Sequence, residues 1–244
     1  MTVPLMVSLK EKIALVTGAS SGVGRAIALE LAAVGALVLL VARDVPRLRE
    51  VCAEIQNIGD AARSWSVDLT NDDALRKFTN EIKSGFAGLD LLVHSAGIFR
   101  FGPLASASVS DLDALYRCNL RAPFVLTQNL LPLLMVRHGA IAFINSTVGE
   151  RTHPNVGPYS ASKHALKAIA DTLRIEANGR IRVLSVMLGR TATPMQEEVC
   201  RLEGSVYDAS RFLQPRDVAR AVVDALTLPQ GAEVSELHLL PSRL

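Results

Sequence analysis

The sequence predicts an α/β fold, with a single parallel sheet of about seven strands and helices on both faces. Three observations predict it. Short apolar runs alternate with segments of helical periodicity along the whole chain. Several of those runs are apolar at every position, as expected of strands buried on both faces, and the first passes into a helix through a glycine-rich turn. A chain of 244 residues with 49% hydrophobic content can bury a full core, and one domain over residues 1–244 is expected, without repeat, low-complexity tract or linker.

Lys12 to Thr17 (KIALVT) is the first strand and ends in Gly18-Ala19-Ser20-Ser21-Gly22-Val23-Gly24. From Arg25 to Val34 small and apolar residues return at helical spacing. Backbone N–H groups of such a turn, with the positive end of the following helix, form a seat for a pyrophosphate, and glycines let the backbone come close. The spacing is Gly-x-x-x-Gly-x-Gly rather than Gly-x-Gly-x-x-Gly, and three glycines alone fit an ordinary strand-to-helix turn equally well. Gly35 ends the helix, and Ala36 to Val41 (ALVLLV) is the second strand, ending in Ala42-Arg43-Asp44. In a dinucleotide fold an acid at this tip accepts ribose hydroxyls while an arginine pairs with a 2′-phosphate, so the choice turns on register.

Val45 to Ile58 is helical, Arg63 to Val67 a third strand ending in Asp68, and Asp72 to Lys83 a helix capped by Thr70 or Asn71. Leu89 to Val93 is the fourth strand, followed by His94-Ser95-Ala96-Gly97. Two helical segments lie between Val109 and Val136 with Asn119 between them, and Pro123 fits the first turn of the second. Ala140 to Asn145 (AIAFIN) is the fifth strand, Ser146 to Pro158 a loop, Tyr159 to Ala177 a long helix and Ile181 to Met187 the sixth strand. Residues 190–214 have mixed composition and weak periodicity, which suits a mobile cover over a site. Asp217 to Leu228 is the last helix and Glu236 to Leu240 the last strand.

Lys plus Arg total 26 against 24 acids, with no basic run, so nucleic acid is not an expected partner. Cys52, Cys118 and Cys200 show no CxxC and no metal-ligand spacing to any histidine, so no metal is expected and the thiols fit a reducing compartment. Met1 to Leu9 is apolar but lacks a basic region and is too short to span a bilayer. A cytoplasmic location without a membrane partner is expected.

The stretch Tyr159-Ser160-Ala161-Ser162-Lys163 places a phenol and an ammonium one helical turn apart, on one face, where the cation can favour the ionised phenol. Bringing a tyrosine from its ordinary pKa near 10 to about 7 requires roughly 4 kcal/mol of differential stabilisation of the phenolate. Taken together, Thr17-Gly18-x-x-x-Gly22-x-Gly24, Ser146 and Tyr159-x-x-x-Lys163 closely resemble the short-chain dehydrogenase/reductase family, from about Lys10 to the C-terminus.

The resemblance implies a doubly wound Rossmann fold and an oxidoreductase that moves hydride between a nicotinamide cofactor and a carbonyl or secondary alcohol. Under it Tyr159 is the general acid in reduction and the base in oxidation. Lys163 lowers its pKa and hydrogen-bonds the nicotinamide ribose, Ser146 holds the substrate oxygen, and Asn119 supports a water chain to the lysine. The chemistry agrees, since a carbonyl receiving hydride develops negative charge that a phenol and a hydroxyl donor can neutralise where it forms. Singly, Ser146 could cap a turn, Asn119 a helix, and Lys163 could be a solvated charge; the joint spacing favours the catalytic set.

Cofactor contacts implied in the same way fall on Gly18, Ser20, Ser21, Gly22, Val23, Gly24, Arg43, Asp68, Leu69, Ser95, Ala96, Gly97, Tyr159, Lys163, Gly189, Thr191 and Thr193. Counting from Gly35, the position that carries an acid in NAD-using members is Ala42, and the next, Arg43, is where NADP-using members often carry a base. NADP(H) is therefore favoured over NAD(H), with Arg43 on the phosphate; the alternative is that Arg43 only covers the adenine face. Asp68 resembles the aspartate that binds the adenine amino group, and Thr193 the threonine that binds the carboxamide. Two positions depart from the family pattern. Ser95 stands for an asparagine that ties the fourth strand to its neighbours, and Leu188 for a proline, so a looser strand end and a looser cover are expected.

Loops after the fourth, fifth and sixth strands should line the substrate pocket. They supply Phe99, Arg100, Phe101, Arg151, His153, Met195 and Tyr207. Arg100 or Arg151 could pair with an anionic substrate group, or both could be solvated rim charges. Homodimers or homotetramers are common in the family, and Leu112 to Val136 and Tyr159 to Ala177 are apolar enough to form them. The alternative to an enzyme is a non-catalytic dinucleotide-binding sensor or scaffold protein of the same fold.

Overall fold

Apolar runs flanked by turn residues become strands, and the 3.6-residue patterns between them become the helices that cover the sheet. The computed structural model describes residues 8–57 and 61–242; the rest of the opening apolar segment and the expected helix end at residue 58 lie outside the described residues. The strands are β1 (Ile13–Thr17), β2 (Leu37–Ala42), β3 (Ala62–Ser66), β4 (Leu91–His94), β5 (Ala140–Ser146), β6 (Arg182–Leu188) and β7 (Glu236–Leu239). The helices are α1 (Gly22–Ala33), α2 (Val45–Asn57), α3 (Asp72–Gly85), α4 (Val109–Tyr116), α5 (Ala122–Arg137), α6 (Gly157–Ala177), α7 (Pro194–Leu202) and α8 (Pro215–Leu226).

All seven strands pair in parallel in the order β3-β2-β1-β4-β5-β6-β7. Alternate side chains go to opposite faces, which is why the runs are apolar throughout. Ala14 and Val16, Val38 and Leu40, and Ala140 and Ala142 pack with α1, α2 and α8. Leu15, Leu39 and Val41, Ile141 and Phe143 pack with α3, α5 and α6. The order reverses between β1 and β4, and there the two connections leave in opposite directions and open a crevice beyond the strand ends. The doubly wound Rossmann arrangement expected from sequence is the one observed.

Three local readings are refined. Asn71, not Thr70, caps α3, its Oδ1 accepting from Ala74 N at 3.0 Å. Asn119 sits in a π-helical turn, Arg117–Arg121, that joins α4 to α5 without a break. The expected irregular cover contains α7, because Thr193 Oγ1 accepts from Gln196 N at 3.2 Å and Pro194 opens the first turn. Its mixed composition hid the short apolar face.

The strand end at Ser95 is held by other means. Thr17 Oγ1 accepts from both Ser95 N and Ala96 N at 3.1 Å, so β1 supplies the tie that a longer side chain on β4 would make. β6 runs through Leu188, which pairs with Ser146 and Leu239, and Gly189 N bonds Leu239 O at 2.8 Å.

His94 ends β4 in the core, stacked on Phe143 at 4.9 Å, with Nε2 against Thr127 Oγ1 at 2.8 Å. Burial pushes its pKa from 6.5 down to about 3. Below pH 6.5 the unfolded chain takes up a proton that the folded chain refuses, so this residue's contribution is present above that pH and is lost as pH falls towards 3. The expected slope is about 1.4 kcal/mol per pH unit. Urea unfolding of wild type and His94→Asn between pH 7 and 4 checks this, and the variant should show the shallower decline.

Candidate active site

The crevice at the β1/β4 reversal widens into a cleft of about 880 Å³ lined by residues from every predicted contact group. At one end lies the glycine turn. Gly18 has φ +66°, and a Cβ there would lie 2.8 Å from Ala96 N; a Cβ on Gly24 would lie 2.4 Å from Gly18 O. Both positions therefore exclude any side chain, and the turn folds tightly against the Ser95–Ala96 backbone. Ser21 at the N-cap of α1 makes no side-chain bond to the helix, and the first turn carries no acid. Main-chain donors and the positive helix end are left facing the cleft, where an anionic group fits.

Ala42 is the last residue of β2, which places Arg43 and Asp44 beyond the tip. Asp44 Oδ1 accepts from Arg47 N at 3.0 Å, so this acid opens α2 rather than standing free as a ribose acceptor. Arg43 lines the cleft and its side chain forms no ion pair among the described residues. Asp68 closes this end. Its Oδ1 accepts from Thr70 Oγ1 at 2.7 Å and Thr70 N at 2.9 Å, and these two bonds hold its carboxyl below the usual range.

At the other end α6 presents Tyr159 and Lys163 to the C-terminal edge of β5. Lys163 is 6% exposed and its Nζ donates to Ile144 O at 3.0 Å while lying 5.9 Å from the centroid of the Tyr159 ring. Ser146, at the strand end, lines the cleft with Tyr159, and its Oγ accepts from Val148 N at 3.4 Å. The expectation of a lowered phenol pKa is corrected here. Burial pushes Tyr159 up to about 12, with the nearby Ser146 hydroxyl pulling the other way, and the same burial brings Lys163 down to about 8. The ammonium addresses the ring face and a main-chain carbonyl.

Asn119 is buried, and its side chain is fully committed. Oδ1 accepts from Ile98 N at 2.8 Å, and Nδ2 donates to Ile98 O at 3.0 Å and Ser162 Oγ at 3.2 Å. It is a strut between the loop after β4 and α6. Thr193 and Thr191 line the cleft with Gly189, but the Thr193 hydroxyl also caps α7 and donates to Thr191 O at 3.2 Å. Ser20, Gly22, Val23, Leu69, Ser95 and Gly97 line the same cleft.

Of the expected substrate-side residues, Phe99, Phe101, His153 and Met195 line the cleft, whereas Arg100, Arg151 and Tyr207 do not. Arg100 Nε donates to Asp111 Oδ1 at 2.6 Å, which turns its guanidinium towards α4. Tyr207 packs instead on Phe212, 5.6 Å between ring centroids. Outside the cleft lining, Glu150, Glu236 and His238 bring ligand atoms within 4.8 Å, but Lys167 already bonds Glu236 there.

Sequence reasoning missed Asn145. It is 3% exposed; Nδ2 donates to Lys163 O at 3.1 Å and Oδ1 accepts from Ser146 N at 2.9 Å. One side chain thus fixes the end of β5 and the backbone of the lysine. A polar residue ending an otherwise apolar strand was its signal.

A doubly wound fold with a phosphate-seating turn at one end of a cleft and a phenol, a hydroxyl and a buried ammonium at the other defines a nucleotide-dependent oxidoreductase. The family model described as short chain dehydrogenase matches residues 12–203. An uncharacterised short-chain type dehydrogenase/reductase of Sinorhizobium fredii is 34% identical over 95% of this chain and 92% of its own. The sepiapterin reductase of Chlorobaculum tepidum is 31% identical over 94% and 96%. A metagenomic short-chain oxidoreductase solved in complex with NADP superposes with a TM-score of 0.83 at 32% identity, covering 96% of this chain and 99% of that one. The chain belongs to the short-chain dehydrogenase family.

Asn145→Ala would leave the Ser146 N–H and the Lys163 carbonyl without their partner. An unfolding free energy lower by about 1–3 kcal/mol is expected, measured by urea titration with circular dichroism.

Proposed function

We propose that this protein is an NADP(H)-dependent oxidoreductase that interconverts a carbonyl and a secondary alcohol, with Tyr159 as proton donor and acceptor and Ser146 as the second donor to the substrate oxygen. The observation that carries the reading is that Tyr159, Ser146 and the buried Lys163 line one cleft together with the glycine turn. When bound, the nicotinamide supplies or accepts the hydride. Tyr159 holds a proton at its phenol oxygen across the neutral range and gives it to the oxygen of the reduced carbon; Ser146 orients that oxygen. Lys163 lies within the same helical turn, Asn119 and Asn145 fix the backbone around it, and Lys163 is the residue to hold ribose hydroxyls.

The fit of the cleft to a dinucleotide rests on Gly18 and Gly24, the free first turn of α1 and Asp68, with Thr193 beside Gly22. Preference for the 2′-phosphate rests on Arg43 being unpaired at the tip while Asp44 is spent on α2. The NADP bound by the metagenomic relative favours the same choice. A sensor without turnover is not favoured, since it has no need of a phenol, a hydroxyl and a buried ammonium gathered in one cleft. We read residues 1–244 as one domain, 190–214 as its cover and the cytoplasm as its location, without nucleic acid as partner. Among the described residues no helix is long and apolar enough to cross a membrane. Exposed Leu112 and Tyr116 on α4, and Phe124 and Val136 on α5, support a homodimer or homotetramer.

Two measurements test the reading. Tyr159→Phe should keep NADPH affinity by fluorescence titration within about threefold while turnover of a carbonyl panel falls by roughly 10²–10⁴. Retained turnover in that variant would remove the phenol from the mechanism. Arg43→Ala should weaken NADPH by about 10- to 100-fold, the worth of charge-assisted bonds, and leave NADH nearly unchanged.

A further inference from the structure

We propose that the site takes neutral substrates whose carbonyl or alcohol carbon bears an aromatic arm, such as aryl ketones, and that Phe99 is the specificity-determining residue that seats the ring. The inference rests on the oxidoreductase reading above and adds the substrate class. Phe99 meets the Tyr159 ring edge-on, 4.9 Å between centroids at 71°, and Phe101 follows at 6.4 Å and 27°. Three aromatic rings, Tyr159, Phe99 and Phe101, thus form a contiguous row in the cleft lining, which Val148, Met195 and Val199 share.

At this end of the cleft the lining cation is Lys163, whose ammonium already bonds Ile144 O and faces the Tyr159 ring. The charged lining residues other than Lys163 fall into two groups. Arg43, Asp44, Arg47 and Asp68 belong to the far end, and Arg190 and Glu203 are paired with each other. Arg100 is held by Asp111 and, like Arg151, lies outside the lining. An anionic group entering here would lose its water without gaining a free cation, an uncompensated penalty. A ring would gain both apolar burial and an aromatic contact, the latter worth about 0.5–1.5 kcal/mol beyond area. His153 stands among these residues as the polar, titratable member, able to meet a neutral hydrogen-bonding substituent.

The test compares kcat/KM with NADPH for acetophenone, 2-butanone and pyruvate. Acetophenone is expected to exceed 2-butanone at least tenfold and pyruvate at least a hundredfold. In Phe99→Ala the acetophenone to 2-butanone ratio should fall about tenfold, and Phe99→Leu, which keeps most of the volume, gives the same ratio test should the alanine variant fail to fold. Pyruvate turnover equal to or above that of acetophenone, or a ratio unmoved in a folded Phe99 variant, overturns the substrate class and leaves the oxidoreductase reading standing. Reduction of none of the three while NADPH binds overturns both.

Discussion

A lysine ammonium held almost out of water, with a main-chain carbonyl as its hydrogen-bond acceptor, is the constraint around which this molecule is arranged. Removing a charge from water is costly, and the downward push on its pKa to about 8 expresses that cost. The surrounding parts keep it in place. Asn145 grips the lysine's own carbonyl, and Gly149 lets α6 come close, since a Cβ there would lie 3.0 Å from Asn145 Oδ1 and 3.1 Å from Lys163 O. Asn119 reaches α6 through Ser162, whose hydroxyl donates to Tyr159 O at 2.7 Å. Phenol, ammonium and strand end are thereby one rigid unit.

The sheet delivers that unit to the nucleotide end. β5 and β6 are paired along their full length, Ala140 with Arg182 through Ser146 with Leu188. Ser146 and the start of the cover segment therefore leave the sheet at the same height, so α7 is launched over the residue that meets the substrate oxygen. β1 and β4 end together as well, Thr17 beside His94, and the Thr17 hydroxyl locks the loop that bears Ser95 and Ala96 against the glycine turn. The two ends of the cleft are set by neighbouring ladders of one sheet, which is why a motif near the start of the chain and another past its middle meet.

Sequence reasoning reached those features that depend on local spacing. Strands apolar at every position, glycines that no side chain could replace and a phenol one turn from an ammonium are all legible along the chain, and each is found where it was expected. Readings that depended on where a side chain turns stayed open for Arg100, which takes Asp111 as its partner, whereas Asp44 lies beyond the strand tip as the register implied and opens α2. Asn145 went unnoticed because its importance lies in bonds to two main-chain atoms, one next to it and one 18 residues further on, which no pattern of side chains records. α7 was missed because a nine-residue helix offers little periodicity to detect.

The least legible property was the proton affinity of the phenol, and it bears on direction. Proximity of a cation in sequence suggested a lowered pKa, but burial acts on the ring as strongly as on the ammonium and drives the two groups to about 12 and about 8. Reaching 7 from 12 takes roughly 7 kcal/mol, against roughly 4 from the ordinary value. Further desolvation of the cleft raises the phenol again, so only a donor or cation at the phenol oxygen can lower it. The Ser146 hydroxyl already pulls the phenol in that direction, while Lys163 faces the ring. The resting phenol therefore carries the proton that reduction consumes, and for oxidation a group at its oxygen must first lower its proton affinity.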